Sequence, residues 1–380
     1  MFGPADFRDP HPLLERLLRE RPVGFDPELG RWIVTRYDDA LAVLRDVVRF
    51  SSAVVPQLPA GAGGQALDRF RRLSARWLFF LDPPRHGPER APVARALAPA
   101  AVHGCAADLR AAAGALLERQ RAKGGMDVVA DYAHPLAVRA VGALIGPPDR
   151  FSGCCADMEA AGRDHGHRPT WERGLAAMAA ATAAVDEVVA AAATPLVAAL
   201  LEAERAGALD RDAVCAHVLV LLFAGVETTQ NQIANAVHTL LRHPGARAHA
   251  DTGAVVEECL RYEPPVLGVL RRAREPVVLG GQTLRAGDEV VVLLAAANRD
   301  GGRFHDAQRC DPARAENPHL SFGFGPHYCP GAALARLTTR VALEVLLAEF
   351  PRLRLAAATI GWRDHDPIVR GPRTLPVEWS

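Results

Sequence analysis

One cysteine of this sequence lies where a thiol could do chemistry. Residues 321–331 read SFGFGPHYCPG, so three glycines and two prolines surround Cys329. A long helical pattern follows, and Pro330 suits the first position of a helix, where a missing N–H costs nothing. At such a helix start, the dipole and the free N–H groups favour a thiolate. We therefore expect Cys329 to act as a nucleophile or a metal ligand; the alternative is a buried, inert cysteine.

An acid and two alcohols interrupt an apolar helical segment. Residues 222–230 read LFAGVETTQ. Gly225 has no side chain, which would let a flat cofactor approach the helix closely. Thr228 can donate a hydrogen bond to the carbonyl of Ala224, four residues earlier, and bend the helix there. Glu227 beside Thr228 could relay protons from solvent. The alternative is a solvent-facing pair, but a carboxylate in such apolar surroundings needs a reason.

The elements that must position these residues are mostly helical. Residues 91–242 show helical periodicity almost throughout, and a last long helix is predicted over 331–350. Short strands with tight turns are predicted in 264–297, and another strand at 31–36. The pattern predicts a mostly α (α+β) fold, with a large helical part and a small β-rich part. Since no linker divides the chain, we expect one domain over residues 1–380.

Composition narrows the class of protein. The chain carries 44 basic and 44 acidic side chains, so no long-range field favours nucleic acid as a partner. The seven cysteines include no CxxC pair, which argues against a disulfide framework and favours a reducing compartment. The N-terminus lacks the apolar core of a signal peptide, and the apolar run 218–226 is about half a membrane span. We expect a cytoplasmic protein without a membrane anchor.

The cysteine segment resembles the complete haem-binding signature of the cytochrome P450 family. Six positions of fixed identity match at fixed spacing, and Ala335 and Arg336 continue the pattern. The six are Phe322, Gly323, Gly325, His327, Cys329 and Gly331. The resemblance runs from about residue 31 to the end and implies the cytochrome P450 fold around a buried haem b (iron protoporphyrin IX). All of the six except Gly325 are expected to bind this cofactor, with Cys329 as the iron ligand.

Two further motifs strengthen the resemblance. Residues 224–229 resemble the family's oxygen-activation motif, which implies catalytic roles for Glu227 and Thr228 and makes Ala224 and Gly225 haem contacts. The second motif is ExxR, whose spacing puts acid and base on one helical face. By resemblance, a structural charge network supports the cysteine loop without a catalytic role. Its members are Glu258, Arg261 and Arg309.

Four side chains resemble the groups that hold the haem propionates in the family. They are His86, Arg90, Arg271 and His327. Pro88 and Pro92 depart from the family pattern in the first of these segments. Because a proline inside a helix costs about 3 kcal/mol, we expect this helix to begin later or to kink. The alternative for each of the four is a solvated charge.

The resemblance implies a haem-thiolate monooxygenase that inserts an oxygen atom from O2 into a mid-sized, largely apolar molecule. A place in secondary metabolism follows by analogy only. The sequence carries no flavin or iron–sulfur signature, so electrons from NAD(P)H are expected through a separate ferredoxin and ferredoxin reductase. We expect a monomer with a basic docking face, or else a scattered set of solvated arginines. The candidates are Arg85, Arg90, Arg95, Arg336 and Arg340.

The substrate itself is weakly encoded. The candidate pocket walls are 52–66, 160–176, Phe223, 266–269 and 368–369. Basic side chains in the second of these would suit a carboxylate or a carrier-tethered substrate, although a solvated loop is equally compatible. They are Arg163, His165, His167 and Arg168.

Three other functions remain open. The first is a haem-thiolate enzyme that uses peroxide, or that catalyses coupling without oxygen insertion. The second is a non-catalytic haem-binding protein, and the third is a zinc- or thiol-based enzyme built on Cys329.

Overall fold

The computed structural model describes residues 9–55, 65–146, 168–357, 359–363 and 368–379. The α-helices of these residues are α1 (His11–Glu20), α2 (Tyr37–Arg45), α3 (Gln65–Ser74), α4 (His86–Ala96), α5 (Pro99–His103), α6 (Ala106–Glu118), α7 (His134–Ile145), α8 (Arg168–Ala191), α9 (Pro195–Arg205), α10 (Arg211–Arg242), α11 (Pro244–Arg247), α12 (Thr252–Tyr262), α13 (Leu294–Ala297) and α14 (Ala332–Glu349). The strands are β1 (Val23–Asp26), β2 (Arg31–Val34), β3 (Phe50–Ser51), β4 (Gly125–Asp127), β5 (Val269–Ala273), β6 (Val277–Leu279), β7 (Gln282–Leu284), β8 (Glu289–Val292), β9 (Arg354–Leu355) and β10 (Pro376–Glu378). A π-helix, Val128–Ala133, leads into α7.

The long helix α10 runs through the helical part of the protein. Asp210 caps its start, because the Asp210 side chain accepts a hydrogen bond from the Ala213 N–H at 2.9 Å. Most side chains of α10 are buried, and the helix packs against α7, α8, α12 and α14. Apolar side chains of these helices form one continuous core. The helix that carries Glu227 and Thr228 is therefore a firmly packed element.

The main sheet has the strand order β1-β2-β8-β5-β3. Strands β2 and β8 pair in parallel, and the other pairs are antiparallel. A second core of buried apolar residues joins this sheet to α2. Strand β5 carries Arg271 opposite Val290 of β8, so the sheet fixes the backbone of Arg271. Two smaller sheets have the orders β4-β10-β9 and β6-β7.

The predicted helical organisation with a minor sheet is observed, but the start of the helix near His86 differs from the prediction. Helix α4 begins at His86 and includes Pro88 and Pro92. Pro88 lies in the first turn, where its missing N–H would have no intrahelical partner. The later start is therefore not observed, and the alternative, a kink of this helix, stays a prediction.

By length and composition alone, three helical segments of the described residues could span a membrane. They are Val128–Ile145, Glu172–Ala191 and Arg211–Arg242. In the first and third of these segments, 61% of the 18-residue apolar stretch is buried inside the protein. Packing between helices inside the protein accounts for the apolar character of these two segments. The expectation that the protein has no membrane anchor stays a prediction.

Candidate active site

Backbone hydrogen bonds hold the loop that carries Cys329. The Cys329 N–H donates to the Phe322 carbonyl at 2.8 Å, and the Tyr328 N–H donates to the Gly325 carbonyl at 3.0 Å. Gly323 and Gly325 both have a φ of 71°, a conformation that favours glycine. The backbone therefore shapes the loop and fixes the direction of the thiol.

The helix after the cysteine begins later than the sequence suggests. Helix α14 starts at Ala332 and is preceded by Gly331 as its cap residue, so Pro330 is not its first residue. A turn comes first, closed by a hydrogen bond from the Ala332 N–H to the Cys329 carbonyl at 3.4 Å. The placement of Pro330 at the helix start is therefore wrong, although the turn also tolerates its missing N–H.

Burial raises the pKa of the half-buried Cys329 thiol. The groups that act in the opposite direction are the Gly331 N–H, the charges of Arg90 and Arg336, and the Ala332 N–H. The donors expected at the helix start are thus present but do not outweigh burial. A bound metal cation would supply the stabilisation that a thiolate needs here.

Imidazole and guanidinium groups gather beside this loop. The ring centroids of His86 and His327 are 4.0 Å apart, and Arg271 is buried. Burial, assisted by His86 and by the charge of Arg271, lowers the pKa of His327 to about 3. Burial also lowers the pKa of Arg271 to about 10. The charge of Arg90 also lowers the pKa of both imidazoles, whereas the negative charge of Asp82 acts in the opposite direction.

This cluster fits a ligand with two carboxylates. Nε2 of His86 is buried and makes no hydrogen bond within the described part of the protein. Asp82 is already engaged by Arg274 at 2.7 Å. A buried nitrogen without a partner is costly, so a ligand group is expected to satisfy it. The two propionates of a haem have the required charge, and the four predicted side chains lie together as the sequence suggested.

Arg90 connects this cluster to the cysteine loop. Its Nη2 donates a hydrogen bond to the Tyr328 carbonyl. Burial lowers the pKa of Arg90, while the nearby Cys329 sulfur acts in the opposite direction. Arg90 is therefore near both the sulfur and the imidazoles.

Ala224 and Thr228 lie on a less buried part of helix α10. Thr228 Oγ1 donates to the Ala224 carbonyl at 2.6 Å, which confirms the predicted hydrogen bond. Ala224 is exposed, although Leu222 and Val226 beside it are buried. An exposed alanine within a buried helix marks a face that borders open space.

The structure gives a reason for a glycine at position 225 that differs from the predicted one. A Cβ atom at Gly225 would lie 2.7 Å from Cγ2 of Val141 on α7. The absence of a side chain therefore permits close packing of α7 on α10. The approach of a cofactor to this glycine stays a prediction, and the neighbouring Ala224 borders the open space.

Glu227 forms an ion pair that sequence reasoning missed. Arg363 Nη1 donates to Glu227 Oε1 at 2.5 Å. The Arg363 side chain is 4% exposed and that of Glu227 is 25% exposed. Arg363 is 136 positions away in the chain, and no local pattern indicated the contact.

The ExxR pair forms the predicted buried network behind the cysteine loop. Arg261 donates to both carboxylate oxygens of Glu258 at 2.8 and 2.7 Å, and both side chains are fully buried. Arg261 also donates to the carbonyls of Asn298 and Ala307 at 2.8 Å. The Asn298 side chain in turn donates to Ser321 Oγ at 2.8 Å, where the loop begins. The network therefore reaches the cysteine loop through Asn298.

Arg309 has a different part in this network from the predicted one. Its backbone carbonyl accepts a hydrogen bond from Arg261 at 2.8 Å, while its side chain is exposed. The second cation near Glu258 is Arg314, whose Nε lies 3.5 Å from Glu258 Oε2. The assignment of the Arg309 charge to the network is wrong, because the chain turns its carbonyl inward.

Phe223, one residue before Ala224 on α10, packs against other aromatic side chains. The ring of Phe223 lies 4.9 Å from that of Trp77 and 5.7 Å from that of Phe70. The Leu267 N–H donates to the Ile368 carbonyl at 2.6 Å, which joins the apolar residues of 266–269 to those of 368–369. These contacts involve three of the predicted pocket walls, and their part in lining a pocket stays a prediction.

The other predicted walls are only partly described. Residues 56–64 and 160–167 lie outside the described residues, and so do Arg163, His165 and His167. The side chain of Arg168 is not described either. The basic character predicted for this region stays a prediction.

The zinc alternative finds no set of ligands in the part of the chain that the structure describes. No group of three or more His, Cys, Asp or Glu side chains is close enough there to hold a metal ion. Cys329 would need further donors from another source, and a porphyrin provides four nitrogens.

Comparisons with known proteins agree with one another. The family model described as Cytochrome P450 matches residues 252–356. The chain is 33% identical to Cytochrome P450 109 of Bacillus spizizenii, over 97% of this chain and 91% of that protein. It is 32% identical to mycinamicin IV hydroxylase/epoxidase of Micromonospora griseorubida, over 92% and 89%. The crystal structure of P450BioI in complex with hexadec-9Z-enoic acid ligated acyl carrier protein matches with a TM-score of 0.89, 28% identity and 99% coverage of each chain.

Proposed function

Because the chain belongs to the cytochrome P450 family and is therefore a haem-dependent monooxygenase, we propose that Cys329 is the ligand of its haem iron. When bound, the haem supplies activation of dioxygen, which a thiolate ligand promotes. The observation that carries the proposal is the positively charged cluster beside the Cys329 loop, with its unsatisfied His86 nitrogen. It fits the two propionates of haem b.

We propose the following roles for the remaining residues. His86, Arg90, Arg271 and His327 bind the propionates by charge and hydrogen bonds. Phe322, Gly323 and Gly331 frame the sulfur, and Ala224 with Gly225 forms the helix surface opposite it. Glu227 and Thr228 hold and move protons, because a carboxylate and a hydroxyl on adjacent residues can pass a proton along hydrogen bonds.

The proposed substrate is a mid-sized, largely apolar molecule of secondary metabolism. The aromatic rings around Phe223 support an apolar pocket. The named activity of the mycinamicin relative supports hydroxylation or epoxidation in that setting. A carrier-bound substrate is a second candidate, favoured by the similarity to the complex of P450BioI with an acyl carrier protein.

The proposed electron donors are a ferredoxin and its reductase, which draw on NAD(P)H. We place the protein in the cytoplasm as a single-domain monomer without a nucleic-acid partner. The basic docking face is weaker than the sequence suggested, because carboxylates pair with three of its five arginines. These pairs are Arg85–Glu89, Arg336–Glu257 and Arg340–Glu344.

The carbon monoxide difference spectrum of the reduced protein tests the proposed iron ligand. Wild-type protein should show the band characteristic of thiolate ligation, and Cys329→Ala should lose it completely. Cys105→Ala is the matched control, since Cys105 is also half-buried and free. A thiolate band that persists in Cys329→Ala would reject the assignment.

A further inference from the structure

One face of α10 carries polar side chains at four-residue spacing from Glu227 onward. Glu227, Asn231 and Asn235 follow one another at this spacing and therefore lie on the same side of the helix. Asn231 and Asn235 are fully buried. Buried polar side chains need partners, and all three of these meet one segment near the C-terminus.

That segment consists of two antiparallel arms, residues 361–363 and 368–373, which together we call the C-terminal hairpin. The Arg363 N–H donates to the Gly371 carbonyl at 3.1 Å, and the Arg373 N–H donates to the Gly361 carbonyl at 2.7 Å. Trp362 and Pro372 form a bridge between the two arms. These contacts give Arg363 a defined backbone position.

Each polar side chain of α10 makes a specific contact with the hairpin. Glu227 pairs with Arg363. Asn231 packs on Gly371 so closely that a Cβ atom there would lie 2.4 Å from its Oδ1. Asn235 Nδ2 donates to the Arg370 carbonyl at 3.2 Å. The hairpin is thus fixed along two turns of the helix and presents its arginine to the acid.

The same hairpin reaches toward the proposed pocket. The Arg370 N–H donates to the Pro265 carbonyl at 2.8 Å, and Val369 bridges Val266. The segment that begins there continues into β5, which carries Arg271 of the charged cluster. The hairpin therefore lies between a candidate pocket wall and the acid on α10.

We infer that Arg363 is a positioning residue, which fixes the carboxylate of Glu227 and ties it to the C-terminal hairpin. The inference rests on the proposed role of Glu227 in moving protons. A charge-assisted bond from a buried guanidinium restricts the carboxylate to a narrow range of positions. Proton transfer requires donor and acceptor within hydrogen-bond reach, so a carboxylate released from Arg363 delivers protons more slowly.

The test is a double-mutant cycle on the haem-loaded protein. Oxygen consumption is measured with NADPH, a plant ferredoxin and its reductase, without added substrate, in H2O and D2O. Arg363→Gln should slow it by about tenfold and enlarge the solvent isotope effect. In a Glu227→Gln background the same change should have less than about a twofold effect, because Arg363 acts through Glu227. Arg363→Lys, which keeps the charge, should recover part of the rate.

Arg370→Gln is the matched control, because Arg370 is equally buried on the same hairpin and pairs with Glu263 instead. Any effect of this change should be the same in both backgrounds. Urea unfolding gives a second measurement that does not depend on activity. Arg363→Gln and Glu227→Gln should each lower the midpoint, and the double variant should lower it no further than the worse single variant.

The possible failures can be told apart. A wild-type protein without a thiolate carbon monoxide band would reject the proposed function itself. A wild type with that band, in which Arg363→Gln slows oxygen consumption equally with and without Glu227, would reject the inference alone. If Arg363→Gln does not incorporate haem, Arg363→Lys takes its place in the cycle, and additive effects again reject the inference.

Discussion

Cys329 and Glu227 are held by different means. The cysteine loop is shaped by backbone hydrogen bonds and by two glycines with positive φ, and its supporting charges are fully buried. Glu227 depends on a side-chain ion pair with a distant hairpin, and a quarter of its side chain is exposed. The difference indicates that the local backbone fixes the sulfur, whereas a side chain from a distant part of the sequence helps to hold the acid.

The largest effect is expected from removing the buried ion pair that supports the Cys329 loop. Arg261→Met removes the cation that donates to both oxygens of the buried Glu258 carboxylate and should lower the free energy of unfolding by about 3–5 kcal/mol. Urea unfolding measures this loss. Arg309→Ala is the control and should change stability by less than about 0.5 kcal/mol, since only its carbonyl is used. Equal losses in the two variants would contradict the description of the network.

A pH-dependent effect on the same side should be smaller. Although burial raises the pKa of Glu257, hydrogen bonds from His319 and Arg336 outweigh it and lower the pKa to about 2. Because the folded-state pKa lies below the unfolded value, this stabilisation is present above about pH 4.5 and is lost as the pH falls toward 2. The stability of wild type should fall by roughly 2 kcal/mol more than that of Glu257→Gln between pH 6 and pH 3. Parallel pH curves would contradict this assignment.

The smallest effect concerns the contact between α10 and the C-terminal hairpin. Gly371→Ala would force a Cβ atom against Asn231 and should lower stability by about 1–2 kcal/mol. Gly361→Ala on the same hairpin meets only ordinary contacts, with the nearest atom 3.9 Å away, and should be nearly neutral. Thermal unfolding of both variants sharpens the comparison. A neutral Gly371→Ala would mean that the hairpin is not pressed against α10.

The cysteine side could be predicted from sequence because its determinants are contiguous. Residues 322–331 contain the glycines, the histidine and the cysteine in one loop, so their spacing reports the backbone shape directly. The Thr228 hydrogen bond was predictable for the same reason, since helix geometry alone sets a four-residue spacing.

The contacts that were missed or misassigned lack such a local signal. The Arg363–Glu227 pair joins residues brought together only by the tertiary fold. Arg309 contributes its backbone carbonyl, which a sequence cannot reveal because every residue has one. The second positive charge near Glu258, which the sequence assigned to Arg309, belongs to Arg314. Gly225 was correctly singled out as a site of close approach, but the sequence could not tell that Val141 is the approaching group.

X-ray absorption at the iron edge of the purified haem-loaded protein tests the central claim most directly. The bond proposed between Cys329 and iron predicts one sulfur scatterer in the first coordination shell of wild type and none in Cys329→Ser. A first shell of nitrogen and oxygen alone in wild type, or a sulfur scatterer that persists in Cys329→Ser, would contradict the account.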